Sequence, residues 1–224
     1  MMLGCLIGDR VRHRRQPSEG IVIMMAVTDV LLSKLVWEQL RSDEESDALY
    51  QSRFHYFIEH SCYAHKQINL QSWVSIAAIP IGFSAQSLDE AQQEAIRCAR
   101  VMTEQPKKIR EAQIIASLVF LGKEGVSRDV IPYFLKAEYN INIEKNQSAM
   151  GRAINQILVA SDFETYLMDS KTSHRIAYTL LCGGLGQAFL APMSQRMVDE
   201  TLDVMLDDYK RITLSFHKTY DLKF

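Results

Sequence analysis

Cysteine is scarce in this chain and shows no paired spacing: Cys5, Cys62, Cys98 and Cys182 are scattered through 224 residues. That excludes a dense disulfide framework, and the thiols read as reduced core residues. A basic excess is also missing. With a formal net charge of -2 and a pI near 6.3, the chain lacks the positive field by which general nucleic-acid binders hold phosphate. Long uncharged apolar runs are absent too. The longest candidate, residues 21–32, contains Asp29 and falls short of the roughly 20 residues of a membrane helix. The apolar start, residues 1–7, meets Gly8-Asp9-Arg10 too early for a signal peptide's apolar region. A cytoplasmic protein without membrane contact is the expectation.

Familiar catalytic signatures are lacking as well. There is no GxSxG elbow, no P-loop and no GxGxxG following a strand. Gly183-Gly184-Leu185-Gly186 is glycine-rich, but it sits in an apolar, helix-like run and suits close helix packing better than phosphate binding. His55, Glu59, His60, Cys62 and His65 form a dense group of ligand-type residues, yet no HExxH pattern is present. On a helix His55, Glu59 and Cys62 would share one face while His60 would not. Surrounded by Tyr56, Phe57 and Tyr63, the group reads as packing rather than as a zinc site.

What is present is helical periodicity. Ile23, Val27, Val30, Leu31 and Leu35 recur at three- and four-residue steps, with Asp29 and Lys34 expected on the surface. Ser87-Leu88-Asp89-Glu90 predicts a capping box opening a helix that runs to about Met102. Residues 109–121 are apolar nearly all round, which predicts a buried central helix ended by Gly122 and Gly125. Val130, Ile131, Phe134 and Leu135 mark an amphipathic helix with Pro132 in its first turn. Late helices are expected over 176–190 and 194–216, the last with a stripe of Val198, Leu202, Met205, Tyr209 and Ile212. No segment alternates cleanly at period two. The expected fold class is all-α, a single compact helical domain over residues 1–224.

Charge gathers in two places. Arg10, Arg12, Arg14 and Arg15, with His13, precede Pro17, and Asp43, Glu44, Glu45 and Asp47 form an acidic counterpart. Each reads either as a solvated loop or helix end or as a contact that steers a charged partner. For the arginines a phosphate-bearing ligand is a further reading, since guanidinium forks match phosphate oxygens.

Several segments, taken in order, resemble one family. Residues 2–9, ending in Gly8-Asp9, are similar to the opening helix of the ADP-ribosylglycohydrolases of the dinitrogenase reductase-activating type. Residues 22–32 resemble the helix after their first metal motif, and Ile79-Pro80-Ile81-Gly82-Phe83 resembles their Pro-Ile-Gly segment. Pro106, Ile109, Ala112 and Gln113 are similar to the family's His-Pro-Glu-Gly-Ile-x-Gly-Ala-Gln stretch. Residues 160–164 and 183–189 complete a collinear set.

The resemblance implies a dinuclear magnesium or manganese site built from carboxylates, and here most of those carboxylates are missing. The first metal motif aligns with Ser18-Glu19-Gly20-Ile21, leaving Glu19 as an acid and Gly20 without a side chain. The second aligns with His174-Arg175-Ile176-Ala177, and residues 171–192 contain no Asp or Glu. Ser72-Trp73-Val74-Ser75-Ile76-Ala77 replaces the ligand-contacting stretch, and Gln105 stands where the family has histidine. With Asp9 and Glu19 the remaining acids, the expectation is a degenerate member with no catalytic residues, cofactor or metal.

The function that follows is protein binding. The resemblance implies an immunity protein that neutralises an ADP-ribosyltransferase toxin by occluding its active site. Its expected partner-binding residues are Arg10, Arg12, Arg14, Arg15, Glu19, Asp43, Glu44 and Glu45. The alternative is an active ADP-ribosyl hydrolase with a divergent metal site using Asp9, Glu19 and the His55–His65 group. A sensor that binds ADP-ribose or a nucleotide without cleaving it fits least well with Trp73 and Val74 in the ligand stretch.

Overall fold

The structure is a computed structural model that describes residues 17–36, 43–146, 148–159 and 207–220. Every regular element among these residues is helical, as expected from the absence of period-two patterning. In chain order they are α1 (Glu19–Val36), α2 (Asp43–Glu59), α3 (Val74–Ser84), α4 (Leu88–Met102), α5 (Pro106–Lys123), α6 (Ile131–Tyr139), α7 (Ala149–Val159) and α8 (Asp207–Tyr220). Short 3-10 turns lie at Leu70–Trp73, Arg128–Val130 and Ile143–Lys145.

The core is organised around α3, whose residues are all buried except Ser75. It packs against α5, α4 and α1. Its sequence, VSIAAIPIGFS, holds a proline in the helix interior. Pro80 has no N–H to offer the carbonyl of Ile76, a loss of about 3 kcal/mol. Each large apolar side chain taken out of water contributes about 1.5–3 kcal/mol. Burial of Ile76, Ile79, Ile81 and Phe83 therefore outweighs the proline.

Gly82 explains how α5 approaches α3 so closely. A Cβ at this position would lie 2.3 Å from the Ala116 carbonyl oxygen and 2.7 Å from Val119 Cβ. Along α5, residues 114–120 are buried, so the prediction of a central helix holds. Its end differs from the expectation. Gly122 lies inside the helix, which runs on to Lys123, and Gly125 follows at φ 74. Lys123 Nζ then donates to the Ala85 carbonyl at 2.6 Å, linking the ends of α5 and α3.

Between them α4 opens as its sequence predicts. Ser87 Oγ accepts from the Glu90 N–H at 3.1 Å. The Glu90 carboxylate reaches one residue further back than a capping box requires, accepting from the Gln86 N–H at 2.8 Å. The buried face of α4 is mostly small (Ala91, Ala95, Cys98, Ala99), which lets α5 and α3 close against it.

In α1 the apolar surface is wider than a stripe. Residues 20–28 are all buried, so Met24, Met25 and Ala26 are core beside Ile23 and Val27, while Leu35 is 52% exposed. Asp29 and Lys34 are not on the open surface as expected. Asp29 Oδ2 lies 3.0 Å from Arg53 Nε of α2, and Lys34 Nζ pairs with Glu94 of α4. Two helices cover those positions, and a covered charge persists when it is paired. Glu94 also accepts from the Tyr50 hydroxyl at 2.6 Å and from Arg97 at 2.9 Å. This junction joins α1, α2 and α4.

α6 begins with Pro132 in its first turn. Ile131, Leu135 and Tyr139 face inward, whereas Val130 is 48% exposed and outside the expected apolar face. The buried Tyr139 hydroxyl accepts from Gln92 Nε2 at 2.9 Å and lies 2.7 Å from Ser117 Oγ. α8 packs on α1, and its Tyr209, Ile212, Phe216 and Tyr220 are buried, with Tyr209 against Phe57 of α2 and Phe216 against Phe83 of α3, so this face is core among the described residues. It runs beyond Phe216 to Tyr220. Val198, Leu202, Met205 and the helix expected over 176–190 lie outside the described residues. No described helix is long and apolar enough to cross a membrane.

Candidate functional site

The site begins where α1 begins. Ser18 Oγ accepts from the Ile21 N–H at 3.4 Å, and the Ser18 carbonyl accepts from Val22 at 3.1 Å. These bonds satisfy first-turn donors that the helix itself leaves open. The chain just ahead is held by the Tyr63 hydroxyl, which donates to the Pro17 carbonyl at 3.2 Å. Glu19 is thereby fixed as the first residue of α1, half-buried.

The Leu70–Trp73 turn closes over this corner. Trp73 Nε1 donates to Glu19 Oε2 at 3.1 Å. Beside it, a Cβ on Gly20 would lie 2.7 Å from Ile76 Cδ1 and 2.9 Å from the Trp73 ring. The space beside Gly20 is therefore filled by indole and isoleucine rather than left open. From the same turn Gln71 Oε1 accepts from Gln105 Nε2 at 2.7 Å, at the start of α5. Glu19, Gly20, Trp73 and Gln105 thus meet around one turn, although they lie far apart in the chain.

These residues do not fit a dinuclear metal site. Among the described residues the corner has one carboxylate, with an indole N–H on one of its oxygens, a glycine, and two neutral amides. Hard divalent cations need several oxygen ligands, mostly anionic. Among the described residues, no three His, Cys, Asp or Glu side chains are placed to hold a metal ion.

The histidine-rich group does not converge either. His55 Nε2 lies 3.2 Å from Glu59 Oε1 on the exposed face of α2. His60 falls past the helix end, where Nδ1 lies 2.8 Å from the Tyr56 carbonyl oxygen and its ring stacks on Tyr56. Cys62 is exposed in the turns that follow.

The acidic segment is not a loop. Asp43, Glu44, Glu45 and Asp47 form the first turns of α2, with Glu44 and Glu45 exposed. Acidic side chains favour a helix N-terminus because its unpaired N–H groups carry partial positive charge. α1 and α2 run antiparallel, as the Asp29–Arg53 and Pro17–Tyr63 contacts show. Glu44 and Glu45 therefore lie at the opposite end of α1 from Glu19, across 18 residues or roughly 27 Å. Among the described residues of the expected binding set, Glu19 therefore does not share a patch with Glu44 and Glu45. Arg10, Arg12, Arg14, Arg15, Asp9, His174 and Arg175 lie outside the described residues.

Sequence reasoning missed the junction of Lys34, Tyr50, Glu94 and Arg97. Its one signal was a lysine at the end of an apolar helix and a glutamate beside the small-residue face of α4. Burial, helped by Glu94, raises the Tyr50 hydroxyl pKa and that of the Cys98 thiol well above their ordinary values. Both are held in the neutral form, which suits a structural role rather than a nucleophilic one. No protein-family model matches this chain, nor does any curated protein or solved structure.

Proposed function

We propose that the protein works by binding another protein rather than by turnover, on a helical scaffold similar to that of the ADP-ribosylglycohydrolases. The observation that supports this is the Trp73 contact at Glu19. One of the Glu19 oxygens is engaged by Trp73, and the space beside the adjacent Gly20 is occupied by Trp73 and Ile76. A catalytic carboxylate needs a free face towards metal or water. The finer reading is an immunity protein that occludes the active site of an ADP-ribosyltransferase toxin. It rests on the sequence resemblance.

The test is ADP-ribose release from an ADP-ribosylated protein, with magnesium and manganese supplied, beside an active hydrolase of the family. No release is expected. Turnover that disappears in a folded Glu19→Ala variant would overturn the proposal and establish the divergent hydrolase. The partner class is tested separately, by inhibition of ADP-ribosyltransferases with the purified protein. A transferase panel with neither binding nor inhibition removes the toxin reading and leaves the non-catalytic one standing.

A further inference from the structure

We draw no further inference here: the strongest candidate, the exposed apolar pair Val130 and Tyr133 at the start of α6, carries nothing because nothing in the structure shows what covers it.

Discussion

Trp73 donates its indole N–H to Glu19 across 3.1 Å, joining the turn before α3 to the first residue of α1. The same ring fills the space above Gly20. Removing the ring and removing the N–H are therefore separable. Trp73→Ala is expected to destabilise the fold by somewhat less than the about 3–5 kcal/mol of a fully buried aromatic truncation. Trp73→Phe keeps most of the packing and loses about 1 kcal/mol for the hydrogen bond. Urea denaturation of the two variants measures this. Equal losses would mean that the hydrogen bond, not the ring, holds the corner.

At Gly82 the backbones of α3 and α5 pass too close for a side chain. The absent Cβ would lie 2.3 Å from a backbone carbonyl, which cannot rotate away as a side chain can. Gly82→Ala is expected to cost about 1–3 kcal/mol or more by overpacking, although alanine is the better helix former. Gly125→Ala meets no atom, but its φ of 74 is unfavourable for a residue with a Cβ, at about 1–2 kcal/mol. Thermal melts of both variants check the pair. A stabilised Gly82→Ala would show that the two helices can separate freely.

Glu94 receives Lys34, Tyr50 and Arg97, and its side chain is 14% exposed. Glu94→Gln removes the charge while leaving two cations and a buried hydroxyl in place. The expected loss is about 2 kcal/mol, between an exposed pair and a fully buried one. His55→Ala, on the 73%-exposed member of the His55–Glu59 pair, is expected to cost less than about 0.5 kcal/mol. Chemical denaturation of the two single variants distinguishes the sites. Similar losses would mean that covering by α1 and α2 adds nothing to the Glu94 contacts.

Tyr220 packs against Phe216 at 4.6 Å between ring centroids, and burial pushes its pKa up to about 12 from an ordinary 10.0. The folded state then holds this proton more tightly than the unfolded chain does. Its contribution is fully present below pH 10.0 and is lost as pH rises through about 12. Burial likewise raises Tyr50 and Tyr139, so alkaline loss of stability is expected to be steep. Tyr220→Phe is expected to make that slope shallower above pH 10. An unchanged slope, followed by circular dichroism across the pH series, would place the titration on other groups.

Much of the architecture was legible because helices are encoded locally. The Ser87 cap, the proline in the first turn of α6 and the all-apolar run of α5 are short-range patterns, each dictated by backbone donors or by periodicity. α3 was not legible as a helix. Pro80 argues locally against it, and only the burial of every residue but Ser75 overrides that. The stripe on α1 was underestimated for a similar reason. Period alone does not tell how many neighbours surround a helix, and α2, α3 and α8 together cover most of it.

The candidate corner was half legible. Glu19 and Gly20 stood out by resemblance, and Trp73 stood out as an odd residue in the aligned ligand stretch. No spacing in the chain could show that the indole returns 54 residues to reach the Glu19 carboxylate. By itself the sequence determined the helical class, the starts of α4 and α6 and part of the core, because capping and amphipathic period act over a few residues. Tertiary structure alone decided which charges were covered and paired, and that Glu19 and the acidic start of α2 lie at opposite ends of α1. It also decided that Trp73 and Ile76 fill the space beside Gly20. Those outcomes depend on contacts between residues distant in the chain, whose geometry exists only once the helices pack.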